Sequence, residues 1–159
     1  MNLLNIVIET ERLRLKTISY DYIDEINMEY IPNVTKKLRR KSIINTDNSK
    51  KMIEESLERI RNGTILKMVI LNKDLDEFIG LISLHEINTL EPFVEVWIKK
   101  VSRKRGFGME AMNGLLEWAN KNIEFNYIYY SLRKKTIIKR KESKNAIKKT
   151  NMGYKILGI

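Results

Sequence analysis

The stretch that most constrains this chain is Trp-Ile-Lys-Lys-Val-Ser-Arg-Lys-Arg-Gly-Phe-Gly-Met-Glu-Ala, residues 97–111. The β-branched and aromatic run Phe93 to Ile98 before it predicts a strand. After it, Met112, Leu115, Leu116, Ala119 and Ile123 recur at helical spacing, which predicts a helix from Gly108 to Asn122. A strand entering a helix through a short basic turn gathers successive main-chain N–H groups into one concavity. The first helical turn adds unpaired N–H groups and a partial positive charge. The result is a seat for a phosphate or diphosphate. Gly106 and Gly108 lack Cβ atoms, so a ligand can come close to the backbone. Arg103, Lys104 and Arg105 add positive charge, although solvated side chains in an ordinary basic turn are the plainer reading. The turn is neither a Walker loop, which needs a lysine and a hydroxyl after the last glycine, nor the dinucleotide G-x-G-x-x-G.

The remaining pattern surrounds this segment with a sheet. From Arg12 to Thr17, Leu13, Leu15 and Thr17 alternate with Arg12, Arg14 and Lys16, as in a half-buried strand. Ser19 or Asp21 can cap a helix bearing Tyr22, Ile23, Ile26 and Tyr30, which Pro32 ends. Thr46 or Asp47 can cap a second helix with Met52, Ile53, Leu57 and Ile60 on one stripe, stopped at Asn62-Gly63. Ile65 to Leu71 and Phe78 to Ile87 read as a hairpin, and Tyr127 to Leu132 as a further strand. Lys144 to Thr150 predicts a helix and Tyr154 to Leu157 a short strand. The order β, α, α, β, β, β, α, β, α, β predicts an α/β or α+β domain.

A length of 159 residues suits one domain over 1–159. Zero cysteines exclude disulfides, thiol catalysis and cysteine-ligated zinc, and a single histidine, His85, excludes a multi-histidine metal centre, so no metal is expected. No stretch is long and apolar enough to span a bilayer, and the N-terminus lacks the pattern of a secretory signal. A cytoplasmic, membrane-free protein is the expectation. The net charge of +10 attracts an anion without specifying which. Residues 131–155 hold ten Lys or Arg and one acid, Glu142. A solvated face is the favoured reading over a nucleic-acid patch, because no nucleic-acid motif accompanies the charge.

Arg103-Lys-Arg-Gly106-Phe-Gly108 resembles the R/Q-x-x-G-x-G/A signature of the GNAT acetyltransferases. Gly106-Phe-Gly-Met-Glu110-Ala111 is similar to the G-Y-A/G-x-E-A of the branch that contains the ribosomal-protein N-terminal acetyltransferases, and Glu117-Trp118-Ala119 falls where that branch has an acid, an aromatic and an alanine. Glu9-Thr10-Glu11-Arg12-Leu13-Arg14-Leu15 resembles its first strand. Phe78-Ile-Gly80-Leu-Ile and Glu86-Ile-Asn88 resemble its central hairpin, shared with spermidine acetyltransferases. The resemblance spans most of residues 8–132. It implies a GNAT-like mixed, mostly antiparallel sheet flanked by helices, with a splayed parallel pair made by Phe93–Ile98 and Tyr127–Leu132. It implies an acetyl-CoA-dependent N-acetyltransferase acting on a primary amine, of a peptide or protein N-terminus or of a small molecule, by direct attack. The cofactor would lie against Ile98, Lys100, Arg103, Lys104, Arg105, Gly106, Phe107, Gly108 and Met109.

The catalytic residues follow less directly. The family often has a glutamate at the place of Phe93, and Glu95 lies two residues on, on the same strand face. Glu95 is therefore the candidate general base, against the plainer reading of a surface glutamate. His85, near the end of the hairpin strand, has a side chain suited to proton transfer. Lys149 stands where a tyrosine acid is expected, and Glu142 and Asn145 at the asparagine and serine places. The chain ends where the family continues through another strand, so a truncated last strand is expected. The competing expectation is a basic binding module for RNA or protein on the same scaffold with catalysis lost. Many members of the fold dimerise, which leaves a homodimer open.

Overall fold

The computed structural model describes residues 1–32, 46–130 and 136–141. Seven strands form one sheet in the order β1-β2-β3-β4-β5-β6-β7. They are β1 (Val7–Glu9), β2 (Leu13–Thr17), β3 (Ile65–Asn72), β4 (Phe78–His85), β5 (Phe93–Ile98), β6 (Tyr127–Tyr130) and β7 (Thr136–Arg140). Every neighbouring pair is antiparallel except β5 and β6, which are parallel. The fold is thus a mixed, mostly antiparallel α/β sheet with one parallel pair, as the sequence predicts.

Alternation decides which face each strand presents. Leu13 and Leu15 of β2, Met68 and Ile70 of β3, Ile82 of β4, and Val94 and Ile98 of β5 are buried on one face. Helix α3 (Phe107–Asn122) covers that face with Phe107, Ala111, Met112, Leu115 and Ala119. The other face carries Lys67, Leu81, Ser83, His85, Phe93, Glu95 and Trp97. It meets helix α2 (Thr46–Arg61) and a composite helix α1. α1 passes from a 3₁₀ turn (Tyr20–Tyr22) through an α turn (Ile23–Glu25) into a π turn (Ile26–Tyr30). Ser19 caps it by accepting from the Asp21 N–H. At the end of α2, the Thr64 N–H donates to Arg59 O and the Gly63 N–H to Ile60 O, the paired bonds of a left-handed glycine stop.

Two strands were not anticipated. β1 precedes the first predicted strand, and β7 lies inside the basic stretch read as a solvated face. The predicted helix at Lys144–Thr150 and strand at Tyr154–Leu157 lie outside the described residues, as do Glu142, Asn145 and Lys149.

One register detail shapes the edge of β5. Between Ile70 and Leu71 the β3–β4 register shifts, so Ile79 is an extra residue in β4. At Gly80 a Cβ would stand 2.1 Å from the Trp97 carbonyl oxygen. Only a residue without a side chain lets the two backbones run this close.

Candidate active site

β5 and β6 are joined among the described residues by two pairs, Phe93↔Tyr129 and Val94↔Tyr130. Among the described residues the rest of β5 pairs with β4 alone, through Glu95↔Ser83, Val96↔Ile82, Trp97↔Leu81 and Ile98↔Gly80. The Pro92 carbonyl accepts from the Tyr129 N–H, whereas the Lys99 N–H donates to Ile79 on β4. Main-chain groups alternate sides along a strand. Val94, Val96 and Ile98 therefore turn their N–H and C=O groups to the β6 side, and from Val96 onward this edge lies beyond the described β5–β6 ladder. The Ile98 carbonyl accepts from Arg103 Nε at 2.8 Å. The extended edge ends there, because the Lys99 N–H is committed to β4 and Lys100–Ser102 forms a 3₁₀ turn.

The basic turn follows directly. Arg103 is extended, Lys104 is left-handed at φ +59, and Gly106 is left-handed at φ +80 and ψ 2. Gly106 caps α3 without any side-chain hydrogen bond. The first helical bond of α3 is the Glu110 N–H to Gly106 O at 3.1 Å. The N–H groups of Phe107, Gly108 and Met109 therefore lie in the first turn, where the helix offers them no acceptor. Arg103, Lys104, Arg105 and Gly106 are exposed, Phe107 and Gly108 are buried, and Met109 is half-buried.

Arg12, from the β1–β2 connection, locks this turn. Its Nε donates to Glu110 Oε2 at 2.7 Å and its Nη1 to the Arg105 carbonyl at 3.0 Å. Its guanidinium lies 4.6 Å from the Phe107 ring centroid, and that of Arg105 4.8 Å. Glu110 Oε1 also accepts from the Thr10 hydroxyl at 2.6 Å and from the Arg12 N–H at 2.7 Å. Partial burial pushes the Glu110 carboxyl up, but these hydrogen bonds and the Arg12 charge outweigh it and hold it below the usual carboxylate range. The sequence contains both segments but has no signal that pairs residues 12 and 110.

The second group of polar side chains sits on the face away from α3. His85 Nε2 stands 3.2 Å from Glu95 Oε2, within ion-pair range but off the line of a hydrogen bond. The His85 ring stacks on Phe93 at 4.6 Å and 4°. Its side chain is 11% exposed against 57% for Glu95. The two catalytic candidates are thus neighbours, one packed and one open to solvent. Three further groups feel the Glu95 charge. Burial, and then Glu95, push the phenols of Tyr30 and Tyr130 up. Burial pulls the Lys67 amine down, and Glu95 opposes this only in part. The Lys67 ammonium donates to the Met52 thioether at 3.7 Å. Tyr30 packs edge-on against Trp97 at 5.1 Å. The sequence reading missed Tyr30, Lys67 and Trp97 as parts of a site, because each fits an amphipathic helix or strand pattern equally well.

The architecture defines a mixed α/β domain with one parallel strand pair and, near it, a helix start without a side-chain cap. The sequence matches the family model described as an acetyltransferase (GNAT) domain over residues 12–149, and the chain belongs to that family. Solved structures share the fold at low identity. One is described as a putative ribosomal-protein-serine acetyltransferase from Vibrio cholerae, with TM-score 0.63 and 15% identity, over 80% of this chain and 74% of that one. Another is a spermidine N-acetyltransferase from Vibrio cholerae in complex with CoA and spermine, with TM-score 0.60 and 17% identity, over 76% and 71% of the two chains. A third is the microcin C7 self-immunity acetyltransferase in complex with acetyl-CoA and AMP, with TM-score 0.63 and 17% identity, over 76% and 69%. No curated protein sequence matches this one significantly. Among the described residues no helix is long and apolar enough to cross a membrane, and no three His, Asp or Glu side chains cluster as a metal site.

Proposed function

We propose that this chain is an acetyl-CoA-dependent N-acetyltransferase acting on a primary amine. One observation carries the reading: the β5 edge past its ladder with β6 runs directly into the uncapped start of α3. The N–H groups of Val96 and Ile98 offer an extended edge for a pantetheine arm, and those of Phe107, Gly108 and Met109 a seat for a diphosphate. Arg103, Lys104 and Arg105 surround that seat with positive charge. Family membership and the acetyl-CoA- and CoA-bound structures of the same fold support acetyl-CoA as the ligand.

The thioester supplies an activated acetyl group: an amine attacks its carbonyl, the C–N bond forms, the C–S bond breaks, and CoA leaves as a thiolate that takes a proton from solvent. A strand-edge N–H facing that carbonyl oxygen stabilises the charge developing there. The face opposite α3 is the approach for the amine, because α3 packs closely on the other. Glu95, open to solvent on that face, takes the amine's proton. His85, stacked on Phe93, stands beside that carboxylate with its Nε2 3.2 Å from Oε2. The acceptor is a peptide or protein N-terminus or a small-molecule amine. The protein works in the cytoplasm, without a metal.

The test is free-thiol release from acetyl-CoA across peptide N-termini, polyamines and aminoglycosides, beside thermal melting with acetyl-CoA. A hundredfold excess over Kd should stabilise the fold by about 2.7 kcal/mol. An unchanged melting temperature at millimolar acetyl-CoA would refute the assignment.

A further inference from the structure

The basic turn is a strained object. Left-handed backbone is strained at a non-glycine residue, and Lys104 adopts it between two arginines. Three consecutive cations also repel one another. Such a conformation persists only where its surroundings over-determine it. Here the support comes from a distant part of the chain.

We propose that Arg12, held by Glu110, is a positioning residue that presets the 103–109 turn for a diphosphate. The inference rests on the acetyl-CoA reading above and adds a role that the glycine motif does not contain. Arg12 reaches Arg105, Gly106, Phe107 and Glu110. Its Nη1 holds the Arg105 carbonyl, and its Nη2 lies 3.4 Å from where a Gly106 Cβ would stand. Its guanidinium covers the Phe107 ring, and its Nε holds Glu110. Thr10 completes the clamp by donating to the same carboxylate. The pairing acts electrostatically as well. An unpaired carboxylate in the first turn of α3 would oppose any anion seated there. The Arg12 guanidinium, in contact at 2.7 Å, cancels it. A lysine could keep the charge, but it could not bridge the carboxylate and the Arg105 carbonyl from one planar fork.

Calorimetry on the full chain with two probes, CoA and pantetheine, tests this, because pantetheine lacks the diphosphate. The wild type should prefer CoA by well over tenfold. Arg12→Lys should reduce that preference about tenfold. Glu110→Gln, which by charge alone would raise it, should instead reduce it, because Arg12 loses its anchor; pantetheine affinity should stay within twofold of wild type in both. The double variant should be no worse than Arg12→Lys alone, since the two act as one unit. An unchanged preference, or equal losses for both probes, overturns the clamp. A wild type that does not distinguish the probes instead overturns the diphosphate seat itself. Glu110→Gln is nearly isosteric, so it answers the question even if Arg12→Lys fails to fold.

Discussion

At the residue scale the two charged groups on the open sheet face carry opposite expectations. Glu95 is exposed and beside His85, so Glu95→Gln should lower kcat by roughly a hundredfold. CoA affinity measured by calorimetry should not change. Equal activity in that variant would remove Glu95 from the mechanism. Lys67 is a different case. Burial lowers its amine from the ordinary 10.5, which means that the loss of hydration outweighs the attraction of Glu95. The unfolded chain keeps the ordinary value. The penalty is therefore full below the folded pKa and disappears as pH rises toward 10.5, where the unfolded amine also loses its proton. Lys67→Met should raise the melting temperature at pH 7, and the gain should shrink as pH rises toward 10.5. A loss of stability at pH 7 would show that Lys67 holds its surroundings together. His85 and Glu95 were readable as neighbours on adjacent strands only once the β4–β5 register was known, because periodicity gives the face of a residue and not its partner.

At the element scale the start of α3 is the exposed weakness of the fold. Gly106 sits at φ +80, a conformation that a β-branched residue adopts only with strain, and its Cβ would meet the Arg12 guanidinium. Gly106→Val should cost about 1–2 kcal/mol of stability in denaturant melts and weaken CoA binding. Retained affinity would contradict the seat. The far end of α3 is secured by a cation. Lys141 donates to the carbonyls of Asn120 and Ile123 at 2.8 and 2.7 Å, and it lies 5.0 Å from the Phe125 ring. The helices and the central hairpin were readable from spacing because each carries its own apolar stripe or β-rich run. β7 was not. Its strand signal is Thr136-Ile137-Ile138 set among lysines and arginines, and charge dominates so short a window. β1 is three residues long, and its place on the sheet comes from pairing with β2 rather than from its own pattern.

At the scale of the whole molecule, the mixed α/β class could be expected from the order of elements, and the parallel pair from the family resemblance; the full sheet order could not, because β1 and β7 carry too little signal of their own. The long-range ties could not. The contact of Arg12 with Glu110, like that of Lys99 with Glu77 at 2.6 Å, depends on where the chain returns in space. Native-state hydrogen exchange measures the result. The amides of β2 to β5 should open only on global unfolding, and those of β6 and β7 at lower free energy. Acetyl-CoA should slow exchange on both sides of the parallel pair, most at Val96 and Ile98. Uniform protection without ligand would show that the two leaves open together.

Among the described residues, two residue pairs join five strands to two. On the proposed reading, a guest laid along the β5 edge beyond those pairs would add hydrogen bonds that the described seam does not supply. It would serve as a temporary strand, lost again with each departing product. Turnover, on this architecture, is also a cycle of mending and unmending the sheet.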